Sequence, residues 1–151
     1  ADNVQTQIPP LGGSGSDQVV TIYADTSNVV YGSFNGGDVA VLCAQAQNGG
    51  TADSVRAEAC IVFSGSPSNL HVVGVMTAQS GWPNFWSPNP KQAENVTLVN
   101  SKGVTISGTQ IEVAETYYKS TDTTAGPSGR AVTTWMMQGG TLVPTHTQIL
   151  Q

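Results

Sequence analysis

The chain has 151 residues, of which 10% are charged, and its formal net charge is −5. This length predicts one domain that can bury its own core. The five Lys and Arg residues form no cluster, which argues against nucleic acid as a partner because phosphate contacts require cations. No apolar run approaches the ~20 residues of a membrane span, so we expect no membrane insertion.

Residues 1–17 form a segment of different composition from the rest of the chain. Pro9 and Pro10 stiffen it, and a Gly/Ser run from Gly12 to Ser16 follows. We therefore expect a flexible arm or linker over 1–17 and a β domain over 18–151. Two alternatives are a disordered terminus and a strand donated to a neighbouring subunit.

From Gln18 onward, runs rich in β-branched and alternating residues are separated by turn signals every 8–12 residues. They predict strands at 18–24, 29–34, 38–47, 54–64, 70–78, 95–100, 103–107, 110–119, 130–138 and 141–150, the last interrupted at Pro144. No helix of ordinary length and no internal repeat is evident. The fold class is therefore all-β: a single-domain antiparallel β-sandwich, jelly-roll-like or Greek-key, with about nine or ten short strands.

The segment from Asp38 to Ser64 predicts a long hairpin whose register follows from its side chains. If Cys43 faces Cys60, period-two alternation sets every other pair. One face is then wholly apolar, with the pairs Ala40–Phe63, Leu42–Ile61, Ala44–Ala59 and Ala46–Ala57. The other face receives Val41–Val62, the two cysteines, Gln45–Glu58 and Gln47–Arg56.

This register has two consequences for the hairpin. We expect Leu42, Ala44, Ala59 and Ile61 to be buried on the face away from the cysteines. The two sulfurs come within reach of each other, so a disulfide between Cys43 and Cys60 is compatible with the pairing; two free thiols are the alternative. A bridge would fit an oxidising compartment.

The loop from Gly81 to Pro90 is the most distinctive local feature. Three aromatic residues lie within five positions among prolines that deny the loop a sheet ladder. They can stack on a sugar, plug one end of the sandwich or fill a subunit contact. The candidate ligand-binding residues are three aromatics, one amide and two cations that could anchor an acidic sugar: Trp82, Phe85, Trp86, Asn84, Lys91 and Arg130.

No pattern typical of an active site occurs in the sequence. The chain has two histidines, His71 and His146, and no HExxH, GxSxG or P-loop spacing. Glu112 and Glu115 are three apart on a predicted strand, so they should point to opposite faces. We therefore expect no catalytic residues, no metal site and no cofactor.

The run from Trp135 to Met137 places large apolar side chains on both faces of one strand. Both faces should therefore be covered, either because the strand is central in the sandwich or because the chain forms oligomers.

A Gly/Ser hinge followed by a compact acidic β domain is similar, in architecture alone, to the protruding, spike or fibre-head domains of virus particles. The sequence thus favours a non-enzymatic extracellular or virion-surface domain for attachment or assembly. Its expected partners are further copies of itself, as a homo-oligomer, and a cell-surface glycan or protein receptor. The alternatives are a secreted glycan-binding lectin and a pilin-like subunit that donates its N-terminal arm.

Overall fold

The computed structural model describes residues 20–24, 29–48, 55–77, 96–98, 103–117, 119, 121–122 and 128–150. These ranges contain ten strands: β1 (Val20–Ala24), β2 (Val30–Phe34), β3 (Gly37–Asn48), β4 (Val55–Ser66), β5 (Asn69–Thr77), β6 (Val96–Leu98), β7 (Val104–Ser107), β8 (Gln110–Tyr117), β9 (Gly129–Gln138) and β10 (Thr141–Ile149). The predicted all-β class is confirmed. The predicted arm at 1–17 lies outside the described residues.

The strands form two antiparallel sheets that pack face to face. Sheet 1 has the order β1-β3-β4-β5, with β2 also paired to β3, and sheet 2 has the order β10-β9-β8-β6, with β7 also paired to β8. Each sheet is therefore built from strands that are consecutive in the chain. Two-residue turns join β2 to β3, β4 to β5, β7 to β8 and β9 to β10. Neighbours in the chain are thus neighbours in the sheet, as in a meander, and the predicted jelly-roll or Greek-key order is not confirmed.

The two sheets repeat one plan although the sequence shows no repeat. In sheet 1, β1 and β2 lie end to end along β3, and in sheet 2, β6 and β7 lie end to end along β8. Three consecutive strands then complete each sheet. Equivalent strands also approach each other between the sheets, β2 with β7 and β5 with β10.

The register of the β3–β4 hairpin agrees with the prediction over most of its length. Ala40 lies opposite Phe63, Leu42 opposite Ile61 and Cys43 opposite Cys60. The two cysteines form a disulfide, with their Cα atoms 4.0 Å apart. One predicted pair is wrong, because a β-bulge after Ala46 shifts the partner of Gln47 from Arg56 to Val55.

The cysteine-bearing face of the hairpin faces the core, which corrects the expectation that the wholly apolar face would dominate it. Val41, Cys43, Cys60 and Val62 belong to the buried cluster between the sheets. Sheet 2 and the flanking strands supply the rest of this cluster, including Phe34, Met76, Val104, Ile111, Val113, Trp135 and Leu142. Over residues 39–44 of β3 and 59–63 of β4 both faces are apolar, so periodicity could not choose between them there, and the packing of sheet 2 decided.

The edges of the two sheets come close enough to require glycine. A Cβ atom on Gly74 of β5 would lie 2.5 Å from the Cβ of Leu142 on β10. At the other edge, a Cβ on Gly32 of β2 would lie 3.0 Å from the Cβ of Ile106 on β7. The Asn35 amide also donates to the Gly108 carbonyl at 2.8 Å. These approaches hold the sheets together along both edges of the sandwich.

Candidate binding surface

The outer face of sheet 1, which points away from sheet 2, is apolar across four strands. Antiparallel pairing aligns Tyr31 of β2, Ala40 of β3, Phe63 of β4 and Val72 of β5 in one row. The next rows add Leu42, Ile61 and Val75, then Ala44 and Ala59, while Leu70 lies beyond Val72 towards the β4–β5 turn. Cross-strand neighbours of this kind form a continuous apolar surface.

Exposure changes along this face from one end to the other. Tyr31 is 76% exposed and Leu70 is 58% exposed. Ala40, Leu42, Phe63, Val72 and Val75 are partly buried, whereas Ala44, Ala59 and Ile61 are buried. Three of the four burials expected in the hairpin are thus confirmed. The expectation for Leu42 is wrong, because its side chain is only partly buried.

A β-bulge in β5 keeps the apolar side chains of this strand on the outer face. Ile61 pairs with Val75 and Val62 with Gly74, but the next pair is Phe63 with Val72. The extra residue, Val73, packs against the core. Without the bulge, Val72 and Leu70 would alternate onto the inner face, because a one-residue shift reverses every side chain that follows.

The outer face of sheet 2 is mostly polar. Glu112 on β8, Arg130 on β9, and His146 and Gln148 on β10 are exposed, and Thr134 pairs with both Glu112 and His146. Arg130 Nη1 donates to the Gly129 carbonyl at 3.1 Å. This is the usual chemistry of a sheet that has one face on the core and one in water.

Sheet 2 also places polar groups in the interior. Glu115 is 1% exposed and Thr133 is fully buried. The hydroxyl oxygens of Thr133 and Thr147 are 2.9 Å apart and form a hydrogen bond. Nε1 of Trp135 is buried without a hydrogen-bond partner among the described residues. The prediction that Glu112 and Glu115 point to opposite faces is confirmed, because Glu112 is exposed.

A carboxylate organises the connection between β8 and β9. Asp122 accepts hydrogen bonds from the amides of Lys119 and Ser128, both at 2.8 Å, and from the Ser128 hydroxyl at 2.6 Å. The hydrogen bonds from the Ser128 hydroxyl and amide, then that from the Lys119 amide, lower the pKa of Asp122. These donors stabilise the ionised form, so this cluster closes the connection and offers no free acid or base.

The run from Trp135 to Met137 was predicted to be covered on both faces, and the structure confirms this for the core face only. Trp135 is 3% exposed on the core side, and Met136 and Met137 are partly buried. β9 is a central strand, because it pairs with β8 and β10 along its two edges. On the outer side, the Gln110 amide nitrogen lies 4.0 Å from the sulfur of Met136.

Of the predicted ligand-binding residues, the structure describes one, and it lies away from the surface described above. Arg130 lies on sheet 2, and the other candidates are outside the described residues: Trp82, Asn84, Phe85, Trp86 and Lys91. The two histidines are exposed on different sheets, His71 on β5 and His146 on β10. In the described ranges, no group of three or more His, Cys, Asp or Glu side chains could hold a metal ion.

The sequence indicates that the outer face of sheet 1 is apolar, although we predicted that this face would be buried. β3, β4 and β5 contain nearly continuous apolar runs, whereas β8 alternates. Continuous runs mark strands that are apolar on both faces. Within the described part of the chain, no helix is both long enough and apolar enough to cross a membrane. Comparisons of the chain with protein families, with curated proteins and with solved structures give no match.

Proposed function

We propose that this chain is a non-enzymatic domain for attachment or assembly, of the kind that forms a protruding, spike or fibre-head domain outside the cell or on a virion. One observation carries the proposal: the outer face of sheet 1 exposes Tyr31 and Leu70 next to partly buried Phe63 and Val72. Contiguous exposed apolar surface marks an interaction site more often than it marks a free surface.

The disulfide supports the proposed location outside the cell or on a virion. Cys43 and Cys60 are bridged, and such bonds persist in secreted proteins and on cell or virion surfaces, where the environment is oxidising. The bond joins the two long central strands of sheet 1, beneath the apolar outer face. A contact surface held in this way needs little reordering when a partner binds, which lowers the entropic cost of association.

Oligomeric state tests the proposal. Size-exclusion chromatography with light scattering should give a closed oligomer of few copies for the full chain. Open polymers would favour the pilin-like alternative instead. A monomer that binds sugars on a glycan array would favour the lectin, with Trp82 and Trp86 as the first positions to replace. A monomer that gives a blank array and captures no cell-surface receptor would contradict attachment and assembly together.

A further inference from the structure

We propose that Met136 is a site of oxidation by hydroperoxides, and that the side-chain amide of Gln110 binds the sulfoxide oxygen that forms there. The sulfur atoms of the chain lie in two cysteines and in three methionines, Met76, Met136 and Met137. Neither cysteine is free, because the two are bridged. The thioethers are therefore the sulfur atoms that a peroxide oxidises most readily, and the sulfoxide is a reversible modification. This inference goes beyond the proposed role in attachment or assembly and does not depend on it.

The three methionines differ in their access to solvent. Met76 on β5 is fully buried between the sheets. Met137 is partly buried, lies opposite Leu142 and packs against the core. Met136 is also partly buried, but it points to the outer face of sheet 2 because its neighbour Trp135 points to the core. A peroxide in solution can therefore reach the Met136 sulfur without opening the sandwich.

Gln110 supplies a hydrogen-bond donor beside this sulfur. It is the exposed first residue of β8, and the pairing of Ile111 with Trp135 places it opposite Met136 on β9. Its Nε2 atom donates towards the Met136 sulfur at 4.0 Å. A thioether is a weak acceptor. In the sulfoxide, the new S–O bond spans part of this 4.0 Å, which brings the oxygen within ordinary N–H···O distance of the same amide.

The reaction transfers one oxygen atom from a peroxide to sulfur. A lone pair of the Met136 sulfur attacks one oxygen of hydrogen peroxide, the O–O bond breaks and the S–O bond forms. Sulfur loses two electrons and the peroxide gains them, and after a proton shift the second oxygen leaves as water. Gln110 contributes a hydrogen bond to the product and exchanges no atom.

The outer position should let the folded domain tolerate this oxidation. The Met136 sulfoxide adds a polar atom to a face that already carries exposed Glu112 and His146, so no unpaired polar group is buried. Oxidation of Met137 would instead place an oxygen near Leu142 in the core, where an unpaired polar atom is destabilising. We therefore expect the chain oxidised at Met136 alone to remain folded.

Hydrogen peroxide is the probe, and peptide mapping by mass spectrometry assigns each oxygen gained. In the native chain, Met136 should be oxidised first, and Met76 should react at least about 10-fold more slowly because its oxidation requires the sandwich to open. The singly oxidised chain should melt within about 2 °C of the native chain. Met136→Leu, a substitution of similar volume, should remove the fastest phase of oxidation and leave the slower ones unchanged.

Two matched substitutions test the role of Gln110. Gln110→Glu keeps the shape of the side chain and removes its donor. Gln148→Glu makes the same change at an exposed position of the same face, on β10 opposite Val132. Oxidation should lower the melting temperature of Gln110→Glu by about 2 °C or more beyond the change in the native chain, whereas Gln148→Glu should respond as the native chain does. Circular dichroism before peroxide is added shows that each variant is folded.

Three outcomes would overturn the inference. If Met137 or Met76 gains the first oxygen, or if all three sulfurs react at one rate, Met136 is not a selective site. If Met136 reacts first but the oxidised Gln110→Glu and Gln148→Glu variants show the same change in melting temperature, Gln110 does not bind the oxygen. A chain that unfolds when Met136 alone is oxidised contradicts the tolerance of the outer face. These readouts are separate from oligomeric state and receptor binding, which test the proposed function.

Discussion

The outer faces of the two sheets differ in chemistry, although the strands beneath them follow the same order. The outer face of sheet 1 combines Tyr31, Leu42, Phe63 and Val72, whereas that of sheet 2 carries exposed Glu112, Arg130, His146 and Gln148. The shared plan sets which strands are neighbours. It does not set what each face must contact, so one sheet is suited to water and the other to a second apolar surface.

The difference also appears in how each sheet is held together. Sheet 1 has a covalent bond between β3 and β4, and both of its faces are apolar around that bond. Sheet 2 has the buried Thr133–Thr147 hydrogen bond and a carboxylate that closes the connection between β8 and β9. The predictions below test these contrasts, beginning with the largest expected effect.

Truncation on the two outer faces should give different losses of stability. Ile61 is fully buried on the outer face of sheet 1, so Ile61→Ala should lower the free energy of unfolding by about 2–5 kcal/mol. Val132 is an aliphatic residue on the outer face of sheet 2 and is partly buried. Val132→Ala should lower it by about 1 kcal/mol or less. Urea denaturation measures both values, and equal losses would contradict the contrast between the faces.

Reduction of the Cys43–Cys60 disulfide should lower the free energy of unfolding, because the bond links the two central strands of sheet 1. The disulfide joins residues 17 positions apart, and closing a loop of that length is worth about 3 kcal/mol. We expect dithiothreitol to lower the midpoint of urea denaturation of the native chain. The double variant Cys43→Ala/Cys60→Ala is the control and should show no response to the reductant. An unchanged midpoint for the native chain would mean that the bond contributes little to stability.

Removal of a buried hydroxyl should show how the interior of sheet 2 is held. Thr133→Val leaves the Thr147 hydroxyl without its 2.9 Å partner, which should cost about 1 kcal/mol. Thr134 is its neighbour on the outer face, where water can replace a lost hydrogen bond, so Thr134→Val should be nearly neutral. Thermal unfolding of the two variants, measured side by side, checks this difference. A greater loss for Thr134→Val would reverse the assignment of the two faces.

As pH falls, the connection between β8 and β9 should lose its hydrogen bonds before the two sheets unfold. The pKa of Asp122 is lowered in the folded chain by its hydrogen bonds with Ser128 and Lys119, so its contribution to stability is present above the unfolded pKa of about 4. That contribution is lost as pH falls through the lower folded value. The amide resonances of Lys119 and Ser128 should shift in this range, whereas in Asp122→Asn they should not respond to Asp122 titration. The effect is local, and we expect it to be the smallest of the four.

The fold was largely predictable from local patterns in the sequence. The β3–β4 register followed because Leu42, Ile61 and their neighbours match only when Cys43 faces Cys60. The strand at β9 was predicted to be covered on both faces, and this is confirmed for its core face, where Trp135 is buried. The candidate site was not predictable to the same degree. The prediction emphasised the aromatic loop and Arg130, whereas Tyr31 and Leu70 drew no attention because single exposed apolar residues are common in any sequence.

The sequence by itself determined the strands and most of the hairpin pairing, because alternation and turn residues act over short distances. It allowed the disulfide and left two free thiols as the alternative. Only the tertiary structure decided which face of sheet 1 became the core. Both faces are apolar in the middle of the hairpin, over 39–44 and 59–63, and the choice depended on contact with Trp135 and Ile111, which are far away in the chain. The bulge at Val73 is likewise a tertiary feature. It keeps Leu70 on the outer face while Gly74 allows β10 to approach, and no local pattern distinguishes that arrangement from a regular strand.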